Sequence, residues 1–339
     1  MDTTQSNGKP EASTRRQVLR AAAAAGASLA WSGQAAAQAW PAKPIRIICA
    51  QAAGGGVDAT VRSFGEYFST TLGVPVVIDN RPGAISMIAA EAVARSAPDG
   101  YTFLFTLHSQ LAQAPVLLKK MPIDPLKDLV PVSAVSSGTG VFAVKKDLPV
   151  RNFAEFIAHA KKTPTFLGNF AVGSGWHIQI LELAKQTVAQ LQAVPYKGTG
   201  PMLLDLMGGQ IDGAAGSLVG MQPGIQSGAV RPLVIVTRDR TSRLPGVPTW
   251  ADLGVRGPAF EQLIEMSMFM APAGTPTPII DRIAQLTLDS TTKSEKVMAL
   301  REQFALDDVP VSGTALQKIV AESSPVYRNL TQALGLTAN

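Results

Sequence analysis

The chain has a single cysteine, Cys49, so no internal disulfide can form and stability must come from packing alone. Cys49 closes the apolar run Ile45–Cys49, which reads as a strand with a buried thiol. Only 16% of the residues are charged, and beyond residue 39 no run of lysine or arginine occurs, which excludes a nucleic-acid surface. The same region lacks any stretch of 18 uninterrupted apolar residues, so no membrane-spanning helix is expected in it. The three histidines, His108, His159 and His177, are too far apart in sequence for an H-E-x-x-H metal motif, and no G-x-S-x-G elbow frames a nucleophile. Asp307-Asp308 and the pair Glu261/Glu265 read as solvated faces rather than as an acid/base dyad. With neither a metal set nor a nucleophile set, a binding role gains over an enzymatic one, and no catalytic residue, metal or resident cofactor is expected.

What the chain does carry begins at its start. Arg15-Arg16 sits in Thr14–Arg20, an Ala-rich stretch runs from Ala21 to Trp31, and Ala37-Gln38-Ala39 is a small-residue cleavage site. That order resembles a twin-arginine export signal over residues 1–39, with an apolar stretch too short to span a bilayer. Cleavage after Ala39 would release a chain of 300 residues into the periplasm, with the formal charge reduced from +5 to +3. That length is more than one core usually holds, so two domains are expected.

Strand-like and helix-like patterns alternate. Ile45–Ala50 is a short apolar run, and Val61, Phe64, Phe68 and Leu72 recur at helical spacing after it. Val74–Asp79 reads as a strand stopped by Asn80-Arg81-Pro82-Gly83, and Ile85–Arg95 as a helix leading to the strand Tyr101–Thr106. This β-α-β-α-β order implies a parallel sheet with helices on both faces. A second set follows: strands at Val141–Val144, Phe166–Ala171, Ala193–Tyr196, Ile211–Ala215 and Pro232–Thr237, with helices between them. Asn152 and Glu155 form a capping-box pattern ahead of one of these helices. Met266–Ala271 adds a strand, and the last 60 residues are helical. No linker separates the two sets, which fits lobes joined by two crossings, placed near Ser136–Gly140 and Gly220–Gly228.

Three glycine loops stand between a strand and a helix, where bare N–H groups and the helix dipole favour an anion. They are Gln51–Asp58 with Gly54-Gly55-Gly56, Gly173-Ser174-Gly175, and Lys197–Pro201. In open α/β sheets, ligands sit beyond the carboxyl ends of the strands, so loops of both sets would face one cleft. Gly54, Gly56 and Ala59, with Asp79 downstream, also satisfy G-x-G-x-x-A, so an exported NAD(P)-dependent oxidoreductase is the rival reading. A scaffold with a degenerate cleft is the third. Trp176 beside the second loop is either a pocket wall or a core anchor.

Several segments, in order, resemble the Bug-type solute-binding proteins of tripartite tricarboxylate transporters. They include Trp40–Arg46, Gly54–Asp58, Val76–Ala84, Ala97–Thr102, Asp124–Leu129, Val194–Gly198, Gly208–Asp212, Leu244–Thr249 and Ala271–Pro276, and the likeness covers residues 40–339. The resemblance implies a type II periplasmic binding protein-like α/β fold, with two lobes and a cleft at a two-crossover hinge. Lobe I would comprise 40–137 plus 228–339, and lobe II 138–227. It further implies a monomer that captures a small carboxylate, an organic acid or amino acid, through backbone amides, for a membrane permease of the tripartite type or a sensor. Ligand contacts carry over onto Gln51, Ala53, Gly54, Gly55, Gly56 and Asp58, and onto Thr106, His108 and Ser109 after the third strand. In the second lobe they fall on Gly173, Ser174, Gly175, Trp176, His177 and Ser217. Three departures bear on ligand identity: Cys49–Ala53 replaces Pro-Phe-Pro-Pro, Ile85-Ser86 replaces two glycines, and Trp176 replaces a small hydroxyl residue.

Overall fold

The computed structural model describes residues 1–3, 40–54, 56–136, 138–170, 172–196, 198–237, 240–263, 265–304, 306 and 309–336. The export segment with its cleavage site, Gly55, Lys197 and Asp307-Asp308 lie outside the described residues. Lys43–Asn339 forms one compact unit. It is a mixed α/β structure built on two sheets.

The first sheet contains β1 (Ile45–Cys49), β2 (Val76–Asn80), β3 (Thr102–Leu107), β4 (Leu129–Ser136), β10 (Met266–Pro272) and β11 (Val311–Ser312), in the order β11-β4-β10-β3-β1-β2. The second contains β5 (Gly140–Lys145), β6 (Thr165–Asn169), β7 (Leu191–Pro195), β8 (Gly213–Ser217) and β9 (Val230–Ile235), in the order β7-β6-β8-β5-β9. Helices α1 (Gly56–Leu72), α2 (Met87–Ala94) and α3 (His108–Leu117) connect strands of the first sheet. Helices α4 (Phe153–Ala160), α5 (Gly175–Thr187), α6 (Thr199–Met207) and α7 (Leu218–Gln226) connect those of the second. After β9 come α8 (Pro258–Glu261), α9 (Thr277–Lys293), α10 (Glu295–Gln303) and α11 (Gly313–Ala333).

The expected parallel sheets hold only in part. β2-β1-β3 and β7-β6-β8 are parallel. However, β10 runs antiparallel to both β3 and β4, and β5 antiparallel to both β8 and β9. The cause is the route of the chain: β4 leaves the first sheet and β10 returns to it, while β5 enters the second and β9 leaves it. In each sheet the outgoing and incoming strands pair side by side. The first passage, from β4 to β5, lies between Ser136 and Gly140. The second lies between Ile235 and Met266, not at 220–228, because β9 pairs with β5 and so belongs to the second sheet. Residues 230–235 therefore sit with the second sheet rather than with 40–137.

The glycines that suggested a crossing serve close packing within the second sheet's layer. A Cβ on Gly224 would approach Leu203 to 2.8 Å, and one on Gly220 would approach Thr199 to 2.7 Å. The capping-box pattern is realised: Asn152 Oδ1 accepts from Glu155 N–H at 2.9 Å. The Glu155 carboxylate reaches back to Arg151 N–H, one residue before the cap. β10 is buried throughout, as a central strand covered on both faces must be.

Two cores meet along α3 and α11. Leu316 and Val320 of α11 pack with Ile48, Leu104 and Met268 of the first sheet. Two turns further on, Tyr327 joins the core that holds Phe142, Trp176 and Trp250 of the second. Helix α3 does the same with Leu111 on one side and Ala112 on the other. No helix of the described residues is long and apolar enough to cross a membrane.

Candidate functional site

The loop after β1 turns through Gly54, whose φ of +83° belongs to the left-handed region that glycine tolerates. The sequence suggests a bare amide there. Instead Gly54 N–H donates to Asp58 Oδ2 at 2.9 Å, because an aspartate in the first turn of α1 acts as the loop's internal anion. Asn80 Nδ2 donates to Asp58 Oδ1 at 2.8 Å and to Gln51 C=O at 3.0 Å, and Arg62 Nε donates to Asp58 Oδ2 at 3.0 Å. Burial pushes the Asp58 carboxyl up, but these donors, Arg62 foremost, outweigh it and hold its pKa below the usual range. Asp58→Ala should therefore cost about 1–3 kcal/mol by leaving two side chains and an amide without their acceptor. Chemical denaturation measures it; an unchanged midpoint would mean the knot is not structural.

Behind this loop, Thr106 Oγ1 donates to Ser86 Oγ at 2.9 Å, Ser86 Oγ donates to Gln110 Oε1, and Gln51 Nε2 donates to the same oxygen at 2.9 Å. Ala84, Ile85 and Ser86 all have positive φ, at 44°, 51° and 67°. The left-handed turn thus persists without the expected glycines, at roughly 1–2 kcal/mol per residue. Ser86 recovers part of that cost through its two hydrogen bonds.

His108 opens α3 but faces away from this loop. It is buried, with Nε2 at 2.7 Å from Ser323 Oγ and its ring edge-on to Tyr327 at 5.6 Å. Burial lowers its pKa to about 4, so it is neutral at physiological pH. Ser109 N–H points to Glu265 Oε1 at 3.4 Å, a long contact. Glu265 is not the solvated carboxylate expected from sequence: Oε2 is sealed and unpartnered, and burial raises its pKa to about 7.

From the same helix, Gln113 Nε2 donates to the Gly173 carbonyl. This contact joins the segment after β3 to the loop after β6. Gly173 must be glycine twice over, since its φ is +76° and a Cβ would stand 2.7 Å from Gln113 Oε1. Its N–H donates to His177 Nδ1 at 3.0 Å, so the imidazole is an acceptor there and neutral, and burial lowers its pKa. Ser174 caps α5 by accepting from His177 N–H at 3.2 Å. Gly175 opens that helix with free space where a Cβ would stand.

Trp176 is a core residue. It is 3% exposed, its Nε1 donates to Gly168 C=O at 2.8 Å, and it stacks on Trp250 at 6.3 Å and 14°. Ser217 caps α7 by accepting from Gly220 N–H at 3.2 Å, and a Cβ on Gly216 would come 2.6 Å from Thr199 Cγ2. The start of α6 therefore lies against the Ser217 corner.

The structure brings Gly173, Ser174, Gly175 and His177 together and links them to α3. It gathers Gln51, Gly54, Asp58 and Thr106 at the edge of the first sheet, where Ala53 and Gly56 are exposed. It directs His108 and Ser109 towards α11 and Glu265 instead. Sequence reasoning passed over Gln110, Gln113 and Asn169, took Ser86 only as a departure and Glu265 as solvated; the spacing of Gln110 and Gln113 on one helical face was the one available signal. Two surface depressions, of about 380 Å³ near Arg151 and Pro248 and about 240 Å³ near Thr237 and Arg256, lie elsewhere. The dinucleotide reading fails on geometry: Asp79, needed for a ribose, is held by Arg46 and Arg81, and the Gly54 amide by Asp58.

Residues 60–336 match the family model described as the tripartite tricarboxylate transporter family receptor. Protein BugT of Bordetella pertussis is 36% identical over 272 residues, covering 78% of this chain and 82% of BugT. Among solved structures, R. palustris Rpa4515 with adipate superposes with a TM-score of 0.77 at 29% identity, covering 88% of this chain and all of that one. The periplasmic binding protein BugD gives 0.74 at 28% identity, with the same coverage.

Proposed function

This chain belongs to the tripartite tricarboxylate transporter receptor family, and from that premise we propose that it captures a small carboxylate, an organic acid or amino acid, between the loops at the edges of its two sheets. The chain works as a monomeric periplasmic receptor, exported through a twin-arginine signal over 1–39 and cleaved near Ala39. It hands its ligand to a membrane permease of the tripartite type or to a sensor. No chemical step on the ligand is involved.

The observation that carries this reading is the contact between Gln113 and Gly173. It brings the segments after β3 and β6, both at carboxyl ends of parallel strands, to one place, and that is where ligands of open α/β sheets sit. The start of α5 there favours negative charge without a side-chain cation. That Rpa4515 was solved with adipate supports a carboxylate as the chemical class. A few charge-assisted hydrogen bonds, at roughly 1.5–3 kcal/mol each less the cost of ordering, give about −8 kcal/mol, or micromolar affinity.

Calorimetric titration of the mature chain with adipate, succinate, malate, aspartate and citrate should find at least one micromolar ligand. Saturation with it should reduce the radius of gyration in small-angle scattering as the loops close together. No heat and no thermal shift from any of the five would sink the proposal.

A further inference from the structure

Strand β6 ends on Asn169, and alternation along the strand fixes which way that side chain goes. Phe166 and Gly168 share one face, where a Cβ on Gly168 would meet Met202 and Ile211. Leu167 and Asn169 share the other, where Leu167 belongs to the core that holds Trp176 and Ile180 of α5. Asn169 therefore lies under α5 at the carboxyl end of the strand, where the chain leaves for the Gly173 loop and returns as the first turn of that helix.

Its side chain is fully buried, at 0% exposure, yet neither Nδ2 nor Oδ1 has a hydrogen-bond partner among the described residues. The backbone carbonyl is satisfied by Tyr196 N–H at 2.8 Å, so only the carboxamide is left over. The Trp176 indole N–H, a donor on the helix above, is committed to Gly168 C=O. A sealed carboxamide without partners destabilises the ligand-free protein, and a leucine of similar size would fit this apolar face better. An asparagine in that place points to a partner brought in from outside.

We infer that the Asn169 carboxamide, under the start of α5, is the group that selects the ligand, and that it selects carboxylates carrying a hydroxyl or an ammonium on the adjacent carbon. The inference rests on the carboxylate-capture reading and narrows it. Nδ2 donates to one carboxylate oxygen, while the N-terminus of α5, a helix of 13 residues, favours the negative charge. Oδ1 then requires a donor a few ångströms away along the ligand, which an α-hydroxyl or α-ammonium supplies and a plain methylene does not. A ligand without that donor leaves Oδ1 sealed and unpaired, and sites built around a buried polar group discriminate strongly on that basis.

The test titrates the mature chain with succinate, L-malate and L-aspartate, which differ at the one carbon in question. The native protein should bind malate or aspartate at least about tenfold more tightly than succinate. In Asn169→Leu that preference should collapse to near unity, while the thermal midpoint of the ligand-free protein rises. Asn169→Ser, smaller and still polar, guards against a packing fault in the leucine variant and should also lose the preference. Equal affinities in the native chain, or a preference that survives both substitutions, overturn the inference and leave carboxylate capture standing. Failure of the native chain to bind any of the three, or any acid of the wider set, overturns both.

Discussion

Trp176→Ala should lower the unfolding free energy by about 3–5 kcal/mol, the range for removing a large aromatic from a packed core. The indole is the centre of an aromatic group: it stacks on Trp250, tilts against Phe142 at 5.0 Å, and Phe153 and Phe260 flank Trp250 at 5.4 and 5.2 Å. Its one polar atom is engaged with Gly168 C=O, so the substitution also removes a buried hydrogen bond. Denaturant titration of the ligand-free protein gives the value directly. The ligand preferences of whatever remains folded should be unchanged. A loss below about 1 kcal/mol, with a broadened range of ligands, would return Trp176 to the wall of the pocket.

The second large effect is a dependence of stability on pH that runs opposite to that of most carboxylates. In the native state Glu265 holds its proton up to about pH 7, whereas an ordinary glutamate releases it near 4.5. Between those values the native state binds more protons than the unfolded one, so stability is fullest below the lower value and falls as pH rises through the higher. The shift corresponds to about 3 kcal/mol across the window. The cause is burial, with Ser109 the group that eases it, and the neighbouring Tyr327 hydroxyl is sealed and unpaired as well. His108 works the other way: its pKa falls to about 4, so it stabilises above its ordinary 6.5 and loses that contribution as pH drops. The quantity to measure is therefore the difference between the native chain and Glu265→Gln, from urea midpoints at pH 5 and pH 8. The native chain should lose stability over that interval relative to the variant; parallel profiles would contradict the placement of Glu265.

The strand and helix order was legible because apolar spacing and Gly-Pro punctuation mark most of the elements, β1 to α2 and β5 to α6 among them. Pairing was less so. That β10 enters the first sheet antiparallel, between β3 and β4, depends on contacts more than 100 residues apart in the chain, and the apolar run Met266–Ala271 says nothing of direction. The second passage was misplaced for a related reason. Gly220 and Gly224 carry the sequence mark of a flexible turn, but they are the flat side of a helix pressed against Thr199 and Leu203. At the site, the Gly173 loop could be found because its glycines sit between a strand and a helix. Asn169 and Glu265 could not, since an asparagine or a glutamate written in a sequence is solvated until tertiary packing closes over it.

Helix α11 gives the two sheets a third mechanical tie. Two strands of chain run between the sheets, but Leu316 and Val320 are rooted in the first core and Tyr327 in the second, so the helix acts as a splint across the joint. A rotation of one sheet against the other must bend that splint or tear one end from its core. Between the roots lie Ser323, Ser324 and Pro325, and the proline removes a rung of the helical ladder there. The helix is thus weakest between its two roots, where it lies against His108 of α3, and Pro325 is the point at which a bend costs it least.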